Sequence, residues 1–154
     1  MVGRVCIIIA DSRLLKFKDK MALTYQPKEG DVLMCDFAGF VEPEMVKTRP
    51  VIILARNRLN SKLVTVVPLS TTKPHAIQSH HHELSVNPLP DKKTTVCWAK
   101  CDMVVTVSIS RLDRIKTRTI TGRNYIVGKV PPGDFQAVKQ CVVAALRLGS
   151  AIES

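Results

Sequence analysis

Aromatic side chains are scarce in this sequence, which contains one Trp, two Tyr and four Phe. Proteins that bind single-stranded nucleic acid without sequence preference usually stack successive bases on several aromatic rings. Because so few rings are available here, a passive stacking platform is disfavoured as the function of this chain. A site that handles phosphate groups is the better candidate.

The sequence also lacks a disulfide framework and a long hydrophobic run. Its cysteines are odd in number and irregularly spaced, unlike those of small secreted proteins. The apolar run VCIIIA is too short to cross a bilayer, and DSRLLKFKDK follows it where a signal peptide would have small residues. We therefore expect a cytoplasmic protein with reduced, mostly buried thiols. The five cysteines are Cys6, Cys35, Cys97, Cys101 and Cys141.

Acidic residues are too few to balance the basic ones. Lys and Arg number 23 against 13 Asp and Glu, which gives a net charge of +10 and a pI near 9.7. This surplus favours polyanionic partners, nucleic acid first, although a basic surface can also serve solubility alone. With 154 residues, the chain is long enough for one domain with its own hydrophobic core.

From residue 30 onward, short apolar segments alternate with turn residues, a pattern typical of β-strands. The segment 38–48 contains Gly, Pro and charged residues and is predicted to be a loop. Strands are predicted at 31–37, 50–56, 62–70, 80–86 and 94–107, the last being the longest.

The C-terminal part is predicted to be helical. The segment 110–115 should form one helical turn, and the stretch around 122–131 is read as a weak strand or a loop. The segment 131–149 should form an α-helix that Asp134 caps and Gly149 ends. Its apolar stripe consists of Phe135, Val138, Val142, Ala145 and Leu146. Close strands followed by a terminal helix favour a compact antiparallel barrel or sheet with helices packed outside.

Residues 1–26 differ from the rest of the chain. The basic segment SRLLKFKDKM could form a short amphipathic element or a loose arm. Alternatively, Met21 could be the true start, with residues 1–20 an upstream artefact. We therefore divide the chain into an N-terminal extension at 1–26 and a folded domain at 27–154.

A charged segment runs directly into an apolar strand at KTRPVIILA, residues 47–55. Pro50 fixes its own backbone and favours an extended conformation at Arg49. An arginine held at the rim of a rigid strand can bind two phosphate oxygens at once. A surface arginine that only covers the end of a barrel would show the same pattern.

A group of hydroxyls follows the next predicted strand in VPLSTT, residues 67–72. Ser70, Thr71 and Thr72 could donate to a phosphate or orient a ribose hydroxyl. An ordinary turn rich in Ser and Thr would look the same.

The segment WAKCDM places Lys100 and Asp102 on one face of a predicted strand. A cation beside a carboxylate can offer an acid and a base to a phosphodiester, or it can be a structural ion pair. A zinc site is disfavoured, because Cys97 and Cys101 with the histidine run 80–82 lack the paired short spacings of structural zinc sites. No metal site or cofactor is predicted.

In this order, EGDVLMCDF, KTRPVIIL, VVPLSTT and WAKCDMVVTVSISRLDRI resemble the MazF/PemK/Kid toxins, the endoribonuclease half of type II toxin–antitoxin systems. The resemblance runs from about residue 30 to the terminal helix. It implies a mainly β (α+β) fold, a small SH3-like β-barrel of the MazF/Kid/CcdB type with a C-terminal helix, in a homodimer. It also implies metal-independent cleavage of single-stranded RNA, often mRNA, at short sequences. The 2′-hydroxyl attacks the phosphate, which leaves a 2′,3′-cyclic phosphate and a 5′-hydroxyl and inhibits translation and growth.

The resemblance assigns a role to each matching residue. Arg49 matches the catalytic arginine, Ser70 the catalytic Thr or Ser, and Glu44 a loop glutamate that acts as base in some members. Lys100 and Asp102 match an Arg-Cys-Asp segment, and the general base is left open between Glu44 and Asp102. The expected RNA-binding residues are Lys47, Thr71, Thr72, Lys73, Lys100 and His80.

The implied partners are single-stranded RNA, a second copy of the chain and a cognate antitoxin. The disordered acidic tail of that antitoxin would fold onto the basic groove and cover Arg49. Two other functions stay open: a non-catalytic, CcdB-like gyrase inhibitor, and a catalytically silent module that binds RNA or antitoxin. Lys100 in place of Arg and the absence of a histidine from the loop 38–48 keep the second of these in consideration.

Overall fold

The computed structural model describes residues 23–149. In this range short strands precede one α-helix, α1, at Pro132–Ala145. The strands are Asp31–Cys35 (β1), Arg49–Arg56 (β2), Leu63–Ser70 (β3), His81–Glu83 (β4), Trp98–Lys100 (β5), Val105–Ser108 (β6), Leu112–Asp113 (β7), Ile115–Thr119 (β8), Gly122–Ile126 (β9) and Gly128–Lys129 (β10). Three 3-10 turns lie at Pro90–Lys92, Cys101–Met103 and Ile109–Arg111.

The main sheet is antiparallel throughout and has the order β10-β1-β2-β3-β5-β4. Strand β6 also pairs with β3 and β7 with β1, while β8 and β9 form a separate hairpin. Among the described residues β4 and β10 end this order, so the ladder is not closed into a continuous barrel. The predicted fold class, mainly β with a C-terminal helix, is confirmed.

The sheet buries a hydrophobic core on each face. Side chains alternate between the faces of a strand, and both sets are apolar in β1, β2 and β3. Each fully buried Val, Leu or Ile contributes about 1.5–3 kcal/mol. Helix α1 covers one face, which is formed by Val32, Ile52, Val67, Leu69, Val138 and Val142 among others. The second core includes Leu33, Phe37, Val51, Ile53, Val64 and Val66.

The ends of the C-terminal helix differ from the prediction. The N-cap is Pro131 rather than Asp134, which lies in the first turn and binds other elements. The helix ends at Ala145 rather than at Gly149, with Leu146 as C-cap and Arg147 in the left-handed region at φ 55°. The predicted apolar stripe is half right, since Val138 and Val142 are buried but Leu146 is 50% exposed.

Two strand predictions were also wrong in extent. The segment 94–107 is interrupted by the 3-10 turn Cys101–Met103, so it forms two short strands instead of one long strand. The predicted strand 80–86 is reduced to His81–Glu83. The predicted helical turn at 110–115 is right only at its start: residues 110 and 111 belong to the 3-10 turn Ile109–Arg111, and the rest runs into β7 and the start of β8.

The folded part extends slightly upstream of the predicted boundary at residue 27. Leu23 is buried in the second core, and Gln26 Nε2 donates hydrogen bonds to the carbonyls of Asn57 and Leu63. The predictions of an arm or an artefact at residues 1–20 lie outside the described residues. Among the described helices, none is long and apolar enough to span a membrane.

Candidate active site

Arg49 and Ser70 lie at adjacent ends of the strands β2 and β3. Arg49 is the first residue of β2, Ser70 is the last residue of β3, and the two strands are antiparallel neighbours. Val51 pairs with Pro68, so continuing this register by two residues places Arg49 opposite Ser70. Opposite residues project from the same sheet face with their Cβ atoms about 4.5–5.5 Å apart. On this register the guanidinium and the hydroxyl would leave the sheet from the same face.

The backbone of Arg49 is held by the interior of the sheet. Strand β2 lies between β1 and β3, and Cys35 pairs with Arg49 on the β1 side. Cys35, its partner on β1, and Val51, the next residue of β2 on the same sheet face, are fully buried. Pro50 pairs with Met34 and keeps the strand extended at its start. The guanidinium thus starts from a rigid position at the edge of a packed core.

Arg49 carries a buried donor that lacks a partner. Its side chain is half-buried, and Nε has no hydrogen-bond partner among the described residues. Such a donor is uncommon, because losing its water costs about 1–3 kcal/mol unless an acceptor replaces it. An anionic oxygen bound at this position would supply that acceptor.

Ser70 has its hydroxyl oxygen oriented by the turn that follows β3. The backbone N–H of Thr72 donates to Ser70 Oγ over 3.1 Å. The hydroxyl hydrogen of Ser70 remains available for an oxygen placed between it and Arg49. Thr71, Thr72 and Lys73 continue from this point as exposed residues.

Trp98 lies next to Ser70 on the neighbouring strand β5. It pairs with Ser70 across β3 and β5, is 4% exposed, and its Nε1 also lacks a partner among the described residues. Sequence reasoning considered the segment that contains Trp98 but gave the residue no role. The available signal was its alternation with Lys100, which places both side chains on one face of β5.

A second group of side chains lies near Ser70 and Trp98 and consists of Lys100, His81 and Asp102. Lys100 ends β5 and pairs with His81 of β4. Asp102 lies in the 3-10 turn that follows, so the prediction that Lys100 and Asp102 share a strand face is wrong. Burial, with the neighbouring His80 ring and the Lys100 ammonium, lowers the pKa of His81. The Asp102 carboxylate opposes this shift, so Asp102 lies close enough to act on His81.

Glu44 and Lys47 lie in the loop between β1 and β2, and both are exposed. The Glu44 carboxylate accepts a hydrogen bond of 2.6 Å from the backbone N–H of Val41. In this geometry Glu44 stabilises its own loop, and its described hydrogen bond does not reach Arg49 or Ser70. Lys47 precedes Arg49 by two residues at the entrance to β2.

Arg111 holds the start of the same loop, a role that sequence reasoning missed. Its Nη1 donates to the carbonyl oxygens of Asp36 and Ala38 at 3.0 and 2.8 Å. Its guanidinium also lies 5.0 Å from the centroid of the Phe40 ring. Since β1 runs into this loop after Cys35, Arg111 fixes the chain that borders Arg49.

A cavity of about 530 Å³ lies near this edge but does not contain the site. Met34, Asp36 and Thr48 line it together with Arg114 and Lys116. Met34 and Asp36 alternate with Cys35, which pairs with Arg49, so the cavity opens on the opposite face of the sheet.

Two buried cysteines, Cys97 and Cys101, are poor nucleophiles. Cys35, Cys97 and Cys101 are buried and Cys141 is half-buried, while Cys6 lies outside the described residues. Burial raises the pKa of Cys97 to about 11. Burial, with smaller effects of Cys141 and Asp102, raises the pKa of Cys101 to about 12. Both thiols are therefore protonated at neutral pH, which excludes thiolate chemistry there.

Asp134 ties the terminal helix to β4. Its carboxylate accepts hydrogen bonds from Ser85 Oγ at 2.6 Å and from Ser85 N at 3.0 Å, and it lies 2.9 Å from His82 Nε2. Burial alone would raise the pKa of Asp134, but the hydrogen bonds from Ser85 and His82 outweigh it and lower the pKa. Asp134 therefore fixes β4 and the adjoining histidines against α1.

Comparisons with known proteins agree with this fold. Residues 28–146 match the family model of the PemK-like, MazF-like toxin of type II toxin–antitoxin system. The uncharacterized protein YifN of Escherichia coli (strain K12) is 29% identical over 153 residues, covering 86% of this chain and 99% of YifN.

Two solved structures have the same fold at low sequence identity. An endoribonuclease in complex with its cognate antitoxin from Mycobacterial species aligns with a TM-score of 0.54 and 20% identity, over 79% of this chain and 96% of its own. MazF from Deinococcus radiodurans aligns with a TM-score of 0.59 and 14% identity, over 80% of this chain and 98% of its own. The family predicted from the sequence motifs is confirmed. The chain belongs to the PemK-like, MazF-like toxins of type II toxin–antitoxin systems.

Proposed function

We propose that this toxin is an endoribonuclease that cleaves single-stranded RNA, with mRNA as its main target, and needs no metal for the reaction. The observation that carries the proposal is the placement of Arg49 and Ser70 at adjacent ends of the paired strands β2 and β3, with the Arg49 Nε donor buried and without a partner among the described residues. A phosphate between these side chains would accept hydrogen bonds from both. The similarity to an endoribonuclease of Mycobacterial species supports the same activity.

The reaction is an internal transfer at one phosphodiester. The ribose 2′-oxygen forms a bond to phosphorus, the bond from phosphorus to the 5′-oxygen breaks, and a base accepts the 2′-proton. The departing 5′-oxygen takes up a proton, which leaves a 2′,3′-cyclic phosphate and a 5′-hydroxyl. Arg49 stabilises the negative charge that develops on the phosphate oxygens, and the Ser70 hydroxyl holds a phosphate oxygen or the attacking hydroxyl.

Glu44 and Asp102 are the candidate bases. The Glu44 carboxylate accepts the Val41 N–H in its own loop, whereas Asp102 is exposed beside Lys100 and His81. This arrangement favours Asp102 as the base at the RNA face, because Glu44 would first have to break its hydrogen bond within the loop. Comparing cleavage by Glu44→Gln and Asp102→Asn tests the two assignments.

The remaining predicted RNA contacts surround this pair. Lys47 and Lys73 flank the ends of β2 and β3, and Thr71 and Thr72 follow Ser70 directly. Lys100 and His80 would contact the RNA backbone farther along β5 and β4. The net charge of +10 supports a polyanionic ligand.

A cognate antitoxin and a second copy of the chain are the proposed protein partners. The similar mycobacterial endoribonuclease is itself in complex with its cognate antitoxin. A disordered acidic tail would complement the basic charge of this chain and cover Arg49.

Incubating the purified protein with total RNA in the presence of EDTA tests the activity. Fragments that end in cyclic phosphate are the expected result. Inhibition of gyrase without RNA fragments would instead indicate the CcdB-like function. RNA or antitoxin binding without cleavage would indicate a catalytically silent module.

A further inference from the structure

Three side chains with metal-ligating atoms converge at one end of β4 and β5. His80, His81 and Asp102 each offer one such atom, and these atoms all lie within 4.8 Å of one another. Among residues 23–149, this is the group of three or more His, Cys, Asp or Glu side chains whose ligand atoms lie this close together. The proposed cleavage uses Asp102 as a candidate base and His80 as an RNA contact, but it does not explain why two imidazoles and a carboxylate lie this close together.

The topology of the sheet produces this convergence. His81 starts β4 and pairs with Lys100 at the end of β5, and Asp102 follows in the 3-10 turn Cys101–Met103. His80 precedes β4 directly, with its ring centroid 4.2 Å from that of His81. The Asp134 bonds to His82 and Ser85 hold this end of β4 against the terminal helix. The three ligands therefore come from two paired strand ends on a fixed support.

The donor set fits a late first-row divalent cation. Two imidazole nitrogens and one carboxylate oxygen suit zinc and its neighbours, with bonds of about 2.0–2.2 Å to each ligand. Three protein ligands leave one position open for water. His80 and His81 are half-buried and Asp102 is exposed, so an ion can reach them from solvent.

Two features of this group of side chains oppose the binding of a cation. The backbone N–H of Gln78 donates to His81 Nδ1 over 3.0 Å. Coordination through Nε2 would place a proton on Nδ1, so this exposed bond would open. The Lys100 ammonium, which faces His81, would repel a cation, and the Asp102 carboxylate offsets that charge.

We propose that His80, His81 and Asp102 form a binding site for a divalent cation of the zinc type, and that its occupation withdraws these side chains from the RNA face. The second half rests on the proposed ribonuclease function. Because Asp102 is a candidate base and His80 a proposed RNA contact, an ion that occupies them would act as an inhibitor.

Zinc binding to the untagged full-length chain tests the site directly, by competition with a chromophoric chelator. We expect one zinc ion per chain. His80→Ala, His81→Ala and Asp102→Asn should each weaken binding by at least about tenfold, because loss of an outer partner alone usually costs that much. Replacing Lys100 by Met should tighten binding. The matched control is His75→Ala, an exposed histidine outside the group, which should bind zinc like the wild type.

The amide resonance of Gln78 gives an independent readout, since it should shift when zinc opens its bond to His81. The site does not exist if the wild type fails to compete for zinc or if the three ligand variants bind it as tightly as His75→Ala. Inhibition is tested by RNA cleavage with and without zinc, which should slow the wild type but not His81→Ala. Equal slowing of both proteins would reject the inhibitory role, and a chain that binds zinc without cutting RNA would reject the ribonuclease function alone.

Discussion

Arg49 and Ser70 lie at adjacent ends of neighbouring antiparallel strands, one at the first residue of β2 and the other at the last residue of β3. Continuing the β2–β3 register by two residues would direct both side chains to one sheet face, and the Arg49 Nε donor has no partner among residues 23–149. We propose that a single phosphate group bridges the two positions.

Replacing Arg49 by alanine should slow RNA cleavage by about a hundredfold or more, because loss of one preorganised charge costs about 3 kcal/mol in the transition state. The fold should be retained, since the side chain is only half-buried. Cleavage rates on a defined RNA and thermal unfolding measure the two effects. Arg56→Ala, at the exposed far end of the same strand, is the matched control. Near wild-type cleavage by Arg49→Ala would remove the assignment.

Ser70 should tolerate threonine but not alanine. Ser70→Thr keeps the hydroxyl and adds a methyl group that restricts χ1, so cleavage should remain within a fewfold of the wild type. Ser70→Ala should cut RNA much more slowly and lose the bond from Thr72 N, a stability cost of about 0.5–1.5 kcal/mol. Single-turnover cleavage of the two variants decides the point, and equal rates would argue against a role for the hydroxyl.

The single tryptophan should report occupation of the site. Trp98 pairs with Ser70 and is almost fully buried, so a ligand bound beside Ser70 should change its fluorescence. An RNA with 2′-O-methyl groups cannot be cleaved and is the suitable ligand for this titration. We expect a saturable change in emission that Arg49→Ala weakens. An unchanged spectrum under conditions where RNA is bound would place the RNA elsewhere.

RNA affinity should fall steeply with added salt. Each phosphate that the basic residues neutralise releases condensed counterions, with a slope of about −0.7 per contact for single strands. Titrations at several salt concentrations give this slope, and Lys73→Ala should reduce it by roughly one contact. A flat response would show that the net charge of +10 does not serve nucleic acid binding.

Asp134 should make stability depend on acid pH. Its folded pKa lies below the ordinary value, so its contribution is fully present above the unfolded pKa of about 3.9 and is lost as pH falls through the lower folded value. Urea unfolding of the wild type should show this loss, and Asp134→Asn should show a flatter profile. Identical profiles for the two proteins would mean that the Ser85 and His82 bonds do not contribute.

The apolar runs of β2 and β3 were predictable because each run is short, bounded by turn residues and buried on both faces. Local pattern also located Arg49 and Ser70 at strand ends. It could not show that Ser70 pairs with Trp98, since this contact joins strands far apart in sequence. For the same reason the sequence did not reveal the partners of Asp134. Its predicted role as helix cap followed a valid local preference, but in the structure its carboxylate binds Ser85 instead. The turn at Cys101–Met103 broke a long β-like segment because Cys101 packs into the core against the carbonyl of Val138.

Strand β2, with neighbours on both sides and a fully buried centre, should be among the last segments to exchange its amide hydrogens. A macromolecule that inactivates Arg49 by distorting its backbone would have to disrupt one of the segments that unfold least readily. Occlusion of the guanidinium from outside requires no such work. Inhibitors of this protein are therefore best sought among chains that shield its surface while leaving the interior intact.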